Sequence, residues 1–399
     1  MRTSEAPVTL PEIDFTDPAT LTDPPGVHGR ARERSTVARL LIPGMPMHAV
    51  LRHEQARALL TDPRFELSGI QYQRPGIDPE LEPYMRSLQE MDGAEHSRLR
   101  RLVAPSFGAR SAERARPRVR RIVDGLLDQA AGPDPVDLVT ALARPLPMAV
   151  ICELVGIPEA DRPRWHSYGE VFATGQGGRL GEIIPGFVAD AKAALAHRRA
   201  EPGDDLLSEL VRARAEDGDR LTDVEIVALV WQVVLAGQTP THLVANGIAQ
   251  LLAHPDQLAA LRADPGLMPG AVEELMRWCG PQLVSFPRYA REDAEIDGVP
   301  IAVGEPVLVS IVAANRDPRA FDDPETLDIT RRPGRAGHLG FAHGPHFCLG
   351  AGLARTQAEV AIGALLERSP GLALAVPATE VAYVPDPATW RLAALPVRL

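Results

Sequence analysis

Lysine is almost absent from this chain of 399 residues: Lys192 stands alone in a basic set that is otherwise arginine. Such a bias reads as coding composition rather than chemistry. Positive charge is also short overall, with 42 basic against 53 acidic residues and a formal charge of −11. No long basic run exists, which argues against a nucleic-acid partner. The opening MRTSEAPVTLPEIDFTD has no apolar stretch, so neither a signal peptide nor a membrane anchor is expected, and the cytoplasm is the expected location. Glycine (33) and proline (38) are too few for a low-complexity or collagen-like chain. Cysteine is scarce: Cys152, Cys279 and Cys348 form no disulfide framework and no pair at metal-clip spacing. If cysteine matters here, it matters singly.

What is present is ordinary for a soluble enzyme, 45% apolar and 24% charged. Two textures alternate. Residues 1–66 are broken by prolines and alternating runs such as Val37-Ala-Arg-Leu-Leu-Ile42, and read as strand-rich. So do 282–312, around the hairpin signal Asp297-Gly298, and 371–399. Residues 94–281 and 350–368 carry the helical period. With no repeat and no flexible linker, one domain over 1–399 is expected.

Four segments stand out. Thr222-Asp-Val-Glu225 is a capping box ahead of an apolar run, Ile226–Ala236, interrupted only by Gln232. Helical composition continues to Ala253, roughly 48 Å if unbroken, against a radius of gyration of roughly 21 Å for a domain of this size. This helix is expected to lie in the middle of the protein, and the apolar run is too short to span a bilayer. A second helix is expected from Pro269 to Gly280, carrying Glu273, Glu274 and Arg277. A third runs from Gly350 to Glu367. The fourth, Glu95–Val103, carries His96, Arg98, Arg100 and Arg101.

Immediately before the third helix stands Phe341-Ala-His-Gly-Pro-His-Phe-Cys-Leu-Gly350. A helix N-terminus stabilises a thiolate, glycines allow tight turns and close approach, and His346 can donate to an anion. An isolated cysteine is more often an inert core thiol. The whole string, however, resembles the haem-binding loop of cytochrome P450, FGxGxHxCxG, at every fixed position but one. There Ala342 replaces glycine, a change expected to cost little unless that residue needs a positive φ. In the expected order, Glu274-Leu-Met-Arg277 resembles the ExxR helix motif. Arg331 matches the third member of its Glu–Arg–Arg network. Ala314-Asn-Arg-Asp-Pro318 and Phe321-Asp-Asp-Pro324 also match, and His96-Ser-Arg-Leu-Arg100 resembles a propionate-binding helix.

The resemblance implies a cytochrome P450 fold, mainly α with a small β-rich lobe (α+β), and haem b as cofactor. Cys348 would be the axial ligand and the metal-binding residue. His96, Arg100, Arg288 and His346 would serve the propionates, and Phe341, Gly350, Ala236 and Gly237 would line the haem. Arg98 and Arg101 read as a solvated face, or as contacts for an acidic electron donor. Ferredoxin and ferredoxin reductase are the implied electron partners, a small organic molecule of the secondary-metabolite kind the implied substrate, and hydroxylation or epoxidation the implied reaction. Oxidative coupling, ring closure or desaturation is the alternative, and a non-enzymatic haem sensor a third.

The distal side departs from the family pattern. Where an A-G-x-acid-Thr string is usual, this chain has Leu235-Ala-Gly-Gln-Thr-Pro-Thr241. Read forward from Ala236-Gly237, Thr239 holds the acid position and Pro240 the alcohol position. Read backward from the following helix, Gln238 holds the acid position and Thr239 the alcohol, and this register is preferred. In either, the carboxylate is missing. Pro240 can itself kink the helix. Thr239 and Gln238 are therefore the catalytic candidates, and Gln232, Leu235, Val284 and Phe286 the pocket candidates. Residues 66–92 and 167–190 are the expected lid loops, with Gly175-Gln-Gly-Gly178 as a flexible connection.

Overall fold

The alternating run builds the strand Val37–Leu41, the second in a six-stranded sheet. In spatial order the strands are Glu12–Asp14, Val37–Leu41, Met47–Val50, Pro306–Val309, Arg288–Ala290 and Phe65–Glu66. Val37–Leu41 and Met47–Val50 pair antiparallel, and Met47–Val50 runs parallel to Pro306–Val309. Asp297 and Gly298 both have positive φ, 50° and 80°, and join the strands Ala294–Ile296 and Val299–Ile301, as an Asp-Gly hairpin turn requires. The computed structural model describes residues 9–42, 46–69, 77–132, 134–173, 179–213, 218–332 and 337–399.

The chain divides into two compact units. One comprises Met1–Leu67, Glu273–Cys348 and Tyr383–Arg391 and holds the six-stranded sheet. Its buried cores gather Val37, Val50, Phe65, Val307 and Leu339 in one cluster, and Ile13, Leu40, Leu51 and Leu308 in another. The other unit comprises Ser68–Val272, Leu349–Ala382 and Leu392–Leu399 and is largely helical. A three-stranded sheet joins Ala373–Leu374, Pro396–Arg398 and Val136–Asp137 within it. Its core centres on edge-to-face contacts among Trp165, Tyr168, Phe187 and Trp231, with centroids 5.1–6.2 Å apart. Each such pair adds about 0.5–1.5 kcal/mol beyond simple burial.

The Thr222 box forms: Glu225 N–H donates to Thr222 Oγ1 at 3.3 Å, and Thr222 N–H donates to the Glu225 carboxylate at 2.7 Å. The long helix expected from it is broken. Asp223–Ala236 ends at Gly237, and Pro240–Ala253 starts after a three-residue turn, because Pro240 has no N–H to continue the ladder. The stretch Asp223–Ala253 is long and apolar enough in composition to cross a membrane, and 56% of its most apolar window is buried inside the protein. Length alone therefore does not set the bilayer reading aside; burial is what marks these as core helices. Arg98 is half-buried and paired within the chain, donating to Asp219 (2.7 Å) and Glu225 (2.5 Å). The helix Gly93–Phe107 carrying it extends past the expected Glu95–Val103 and contains Pro105.

The helix Ala351–Arg368 runs against Ala109–Ala130. Ala112 packs beside Gly352, where an added Cβ would come within 3.2 Å, and Arg116 donates to Glu359 at 2.6 Å. Lys192 lies 3.9 Å from the centroid of the Tyr84 ring.

Candidate active site around Cys348

Of the three cysteines, Cys152 and Cys279 are buried, and burial pushes both thiols up to about 12. Cys348 is exposed. It leads into the N-cap Gly350 of Ala351–Arg368, the position where a helix dipole favours an anionic sulfur.

The loop before it is fixed by backbone geometry. Cys348 N–H donates to Phe341 O at 2.8 Å, and Ala342 N–H to Leu339 O at 2.9 Å. Gly344, with φ +74°, sits so close to Thr61 that a Cβ would come within 2.6 Å of its methyl; only glycine fits there. Gly350 differs, since a Cβ there would meet nothing within 4 Å beyond its chain neighbours. Ala342 has φ +59°, so the condition under which alanine costs something at this position is met. A non-glycine residue in the left-handed region costs about 1–2 kcal/mol, offset in part by alanine's smaller unfolded-state freedom. Ala342→Gly is accordingly expected to stabilise the protein by about 1 kcal/mol, read as a raised denaturant midpoint at unchanged slope.

Around the loop lies a buried ionic network. Arg277 donates to both Glu274 oxygens at 2.7 Å, and Arg331 Nε to the same carboxylate at 3.1–3.2 Å. Asp328 N–H adds a fourth donor at 3.0 Å. The remaining Arg277 donors reach the carbonyls of Asn315, Pro324 and Thr326. The Glu274 and Arg277 side chains are only 3% and 2% exposed. The ExxR pair thus holds three chain segments together rather than decorating a surface. Further residues complete the frame. Asn315 Oδ1 accepts from Leu339 N–H at 2.7 Å. His53 Nε2 lies 2.9 Å from Gly337 O, while its backbone N–H donates to Asp317. Asn315 and Asp317 fall in the Ala314–Pro318 run; for His53 no sequence signal existed.

The helix break is tightly built. A Cβ at Gly237 would fall 2.3 Å from Val233 O and 2.5 Å from Ile151 Cδ1, so glycine lets this turn pack on the helix Pro145–Val155. Thr239 N–H donates to Ala236 O at 3.2 Å. Gln238 is buried, and its Nε2 donates to Val234 O at 3.2 Å and lies 3.3 Å from Met148 Sδ. It borders a pocket of about 290 Å³ with Arg144, His166 and Glu170. Burial and the Arg162 charge lower the basicity of His166. Thr239 is half-buried, and its hydroxyl makes no hydrogen bond among the described residues. The two candidates therefore part company: the Gln238 amide nitrogen is committed to the preceding helix and Met148, while Thr239 keeps an available hydroxyl.

The other expected residues are placed as follows. His96 is buried on Gly93–Phe107, with Arg100 half-buried one turn on. Arg288 is buried at the start of its strand, and His346 closes the short turn Gly344–His346. Ala236 is exposed at its helix end and Leu235 half-buried. Gln232 Oε1 accepts from Leu88 N–H at 3.0 Å, which ties it to the turn Leu88–Glu90. Phe286 is 44% exposed, whereas Val284 packs on the Ile13–Leu40 cluster and bridges Ser310. The Gly175-Gln-Gly-Gly178 connection and residues 70–76 of the lid lie outside the described residues.

A sequence model of the family described as Cytochrome P450 matches residues 266–369, the span that holds the ExxR network and the cysteine loop. The cytochrome P450 monooxygenase PikC of Streptomyces venezuelae is 42% identical over 94% of this chain and 91% of its own. The mycinamicin IV hydroxylase/epoxidase of Micromonospora griseorubida is 42% identical over 90% and 91%. The solved structure of the mixed-function P450 MycG superposes with a TM-score of 0.88 at 39% identity, covering 98% of this chain and 100% of that one. An exposed cysteine at a helix start, a saturated Glu–Arg–Arg core and this depth of similarity along nearly the whole length have one common explanation: the chain belongs to the cytochrome P450 family.

Proposed function

We propose that this P450 enzyme hydroxylates or epoxidises a small secondary-metabolite molecule, using O2 and two electrons relayed from NAD(P)H through ferredoxin reductase and a ferredoxin. Residues 1–399 would act as one cytoplasmic domain. The observation that carries the reading is Cys348, an exposed thiol at the head of a long helix, in a chain whose other thiols are buried and protonated. Haem b, the family's cofactor, supplies oxygen activation, with the thiolate donating electron density that favours O–O cleavage.

The residues present fit that group. Among the described residues, large apolar side chains are exposed at only four positions, and Phe286 and Phe347 are two of them. Uncovered aromatic rings suit a flat apolar group. Cys348 Sγ would ligate the iron, and backbone N–H groups at Leu349 and Gly350 would temper its charge. His96, Arg100, Arg288 and His346 would pair with the propionates. Gly237 keeps the distal turn against Pro145–Val155. Thr239 Oγ1 would hold a water and pass its proton, with a substrate hydroxyl or amide completing the chain.

A second reading, oxidative coupling or ring closure without oxygen insertion, draws on Gln238. An amide at the preferred acid position cannot exchange a proton as a carboxylate does, so a reaction with less exacting proton delivery suits it. Product mass after turnover under labelled O2 separates the two: incorporation of the label is expected, and a product without it favours coupling. In the same assay Thr239→Ala is expected to lower product formed per NAD(P)H consumed; unchanged coupling would remove Thr239 from the relay.

A further inference from the structure

The cysteine loop is tied to the ExxR helix by one side chain outside the motif. Gly340 N–H donates to His338 Nδ1 at 3.1 Å. An accepting Nδ1 must be the unprotonated nitrogen of a neutral ring, so the proton sits on Nε2. Nε2 lies 3.2 Å from the Glu273 carboxylate and donates to it. Glu273 precedes the network residue Glu274 on the helix Met268–Cys279. The His338 side chain is 9% exposed, and its ring packs 5.7 Å from that of Phe341. Phe341 is the residue whose carbonyl accepts from Cys348 N–H. Gly340 itself lies so close to Met276 that a Cβ would come within 2.6 Å of its side chain. The backbone therefore cannot move towards the helix to compensate for a lost bond.

We propose that His338 is a positioning residue for the axial thiolate. The Glu273–His338–Gly340 bridge fixes the tautomer of the ring and, through Gly340 and Phe341, the height and direction of the Cys348 loop. A carboxylate behind the imidazole strengthens its acceptor nitrogen, so the bridge acts as one unit and its two ends are coupled. Loss of either end loosens the loop that carries the ligand, without opening the buried Glu274–Arg277–Arg331 network.

The inference rests on Cys348 holding haem, and the test separates the two claims. The wild-type holoenzyme must first show the ferrous–carbonyl Soret band of thiolate ligation; its absence defeats the ligation reading itself. Three variants then divide the bridge. H338N keeps an acceptor for Gly340 and loses reach to Glu273, H338Q keeps a donor for Glu273 and loses the Gly340 acceptor, and E273Q removes only the charge at a partly exposed position. The readouts are the rate at which the thiolate band converts to the neutral-thiol form under mild heating, the haem midpoint potential, and the melting of the helical signal. Conversion about tenfold faster in H338N, the scale of one charge-assisted bond, and about fivefold faster in H338Q, which loses a neutral one, is expected, with a smaller acceleration and a same-sign potential shift in E273Q. Wild-type conversion and potential in E273Q and H338N would overturn the proposal. So would acceleration that only tracks a lower melting temperature. If the His338 variants fail to fold, E273Q decides alone.

Discussion

Arg277→Met is expected to cost about 3–5 kcal/mol, because it leaves the Glu274 carboxylate buried with half its donors removed. The two 2.7 Å bonds from Arg277 are the shortest that Glu274 receives, and the Arg331 pair that remains is longer and more exposed. The same substitution strips the Arg277 donor from the carbonyls of Asn315 and Pro324, while Thr326 O keeps its bond from Arg331 at 3.1 Å. Each unsatisfied buried acceptor adds to the cost. The measurement is denaturant unfolding of the holoenzyme. Arg331→Met should lose roughly half as much, since that side chain is 17% exposed and water can replace part of what it gives. Adding Glu274→Gln to Arg277→Met should recover part of the loss by removing the stranded charge. If Arg277→Met unfolds with the wild type, the network is not what holds these three segments.

Cys348→Ser is expected to abolish product formation while leaving the fold almost unchanged. The side chain is exposed among the protein's own atoms, so its replacement opens no cavity in the protein core. The bond from residue 348 to Phe341 O is made by the backbone and survives. On the proposed ligation, what would disappear is the thiolate, and with it the electron donation on which oxygen activation depends. A paired measurement checks this: loss of the thiolate-type ferrous–carbonyl band with turnover below detection, against helical melting close to wild type. A serine variant that still turned over with the wild-type band would place the ligand elsewhere.

Much of this was legible in the sequence because it depends on local chemistry. The Thr222 box, the Asp297-Gly298 turn and the ExxR spacing each carry their physics within four residues, and the structure contains all three. The family's loop was readable for the same reason. Long-range pairings were not: Arg98 with Asp219, Gln232 with Leu88, and His53 with Gly337 join residues more than a hundred positions apart, and nothing in their neighbours announces them. Ala342 is a different case. Its residue type gave no hint of a left-handed backbone, which the turn around Leu339 and Phe341 imposes from outside.

The amide at Gln238 has one more consequence. Its nitrogen donates a hydrogen bond to Val234 O and faces the Met148 thioether, two neighbours that can only accept. An ionised acid put there would meet lone pairs on both and have nothing to accept from them. A carboxylate placed at residue 238 is thus opposed at these two contacts, and a designer wanting one would have to rebuild Met148 or turn the acid towards Arg144 and His166 in the adjoining pocket.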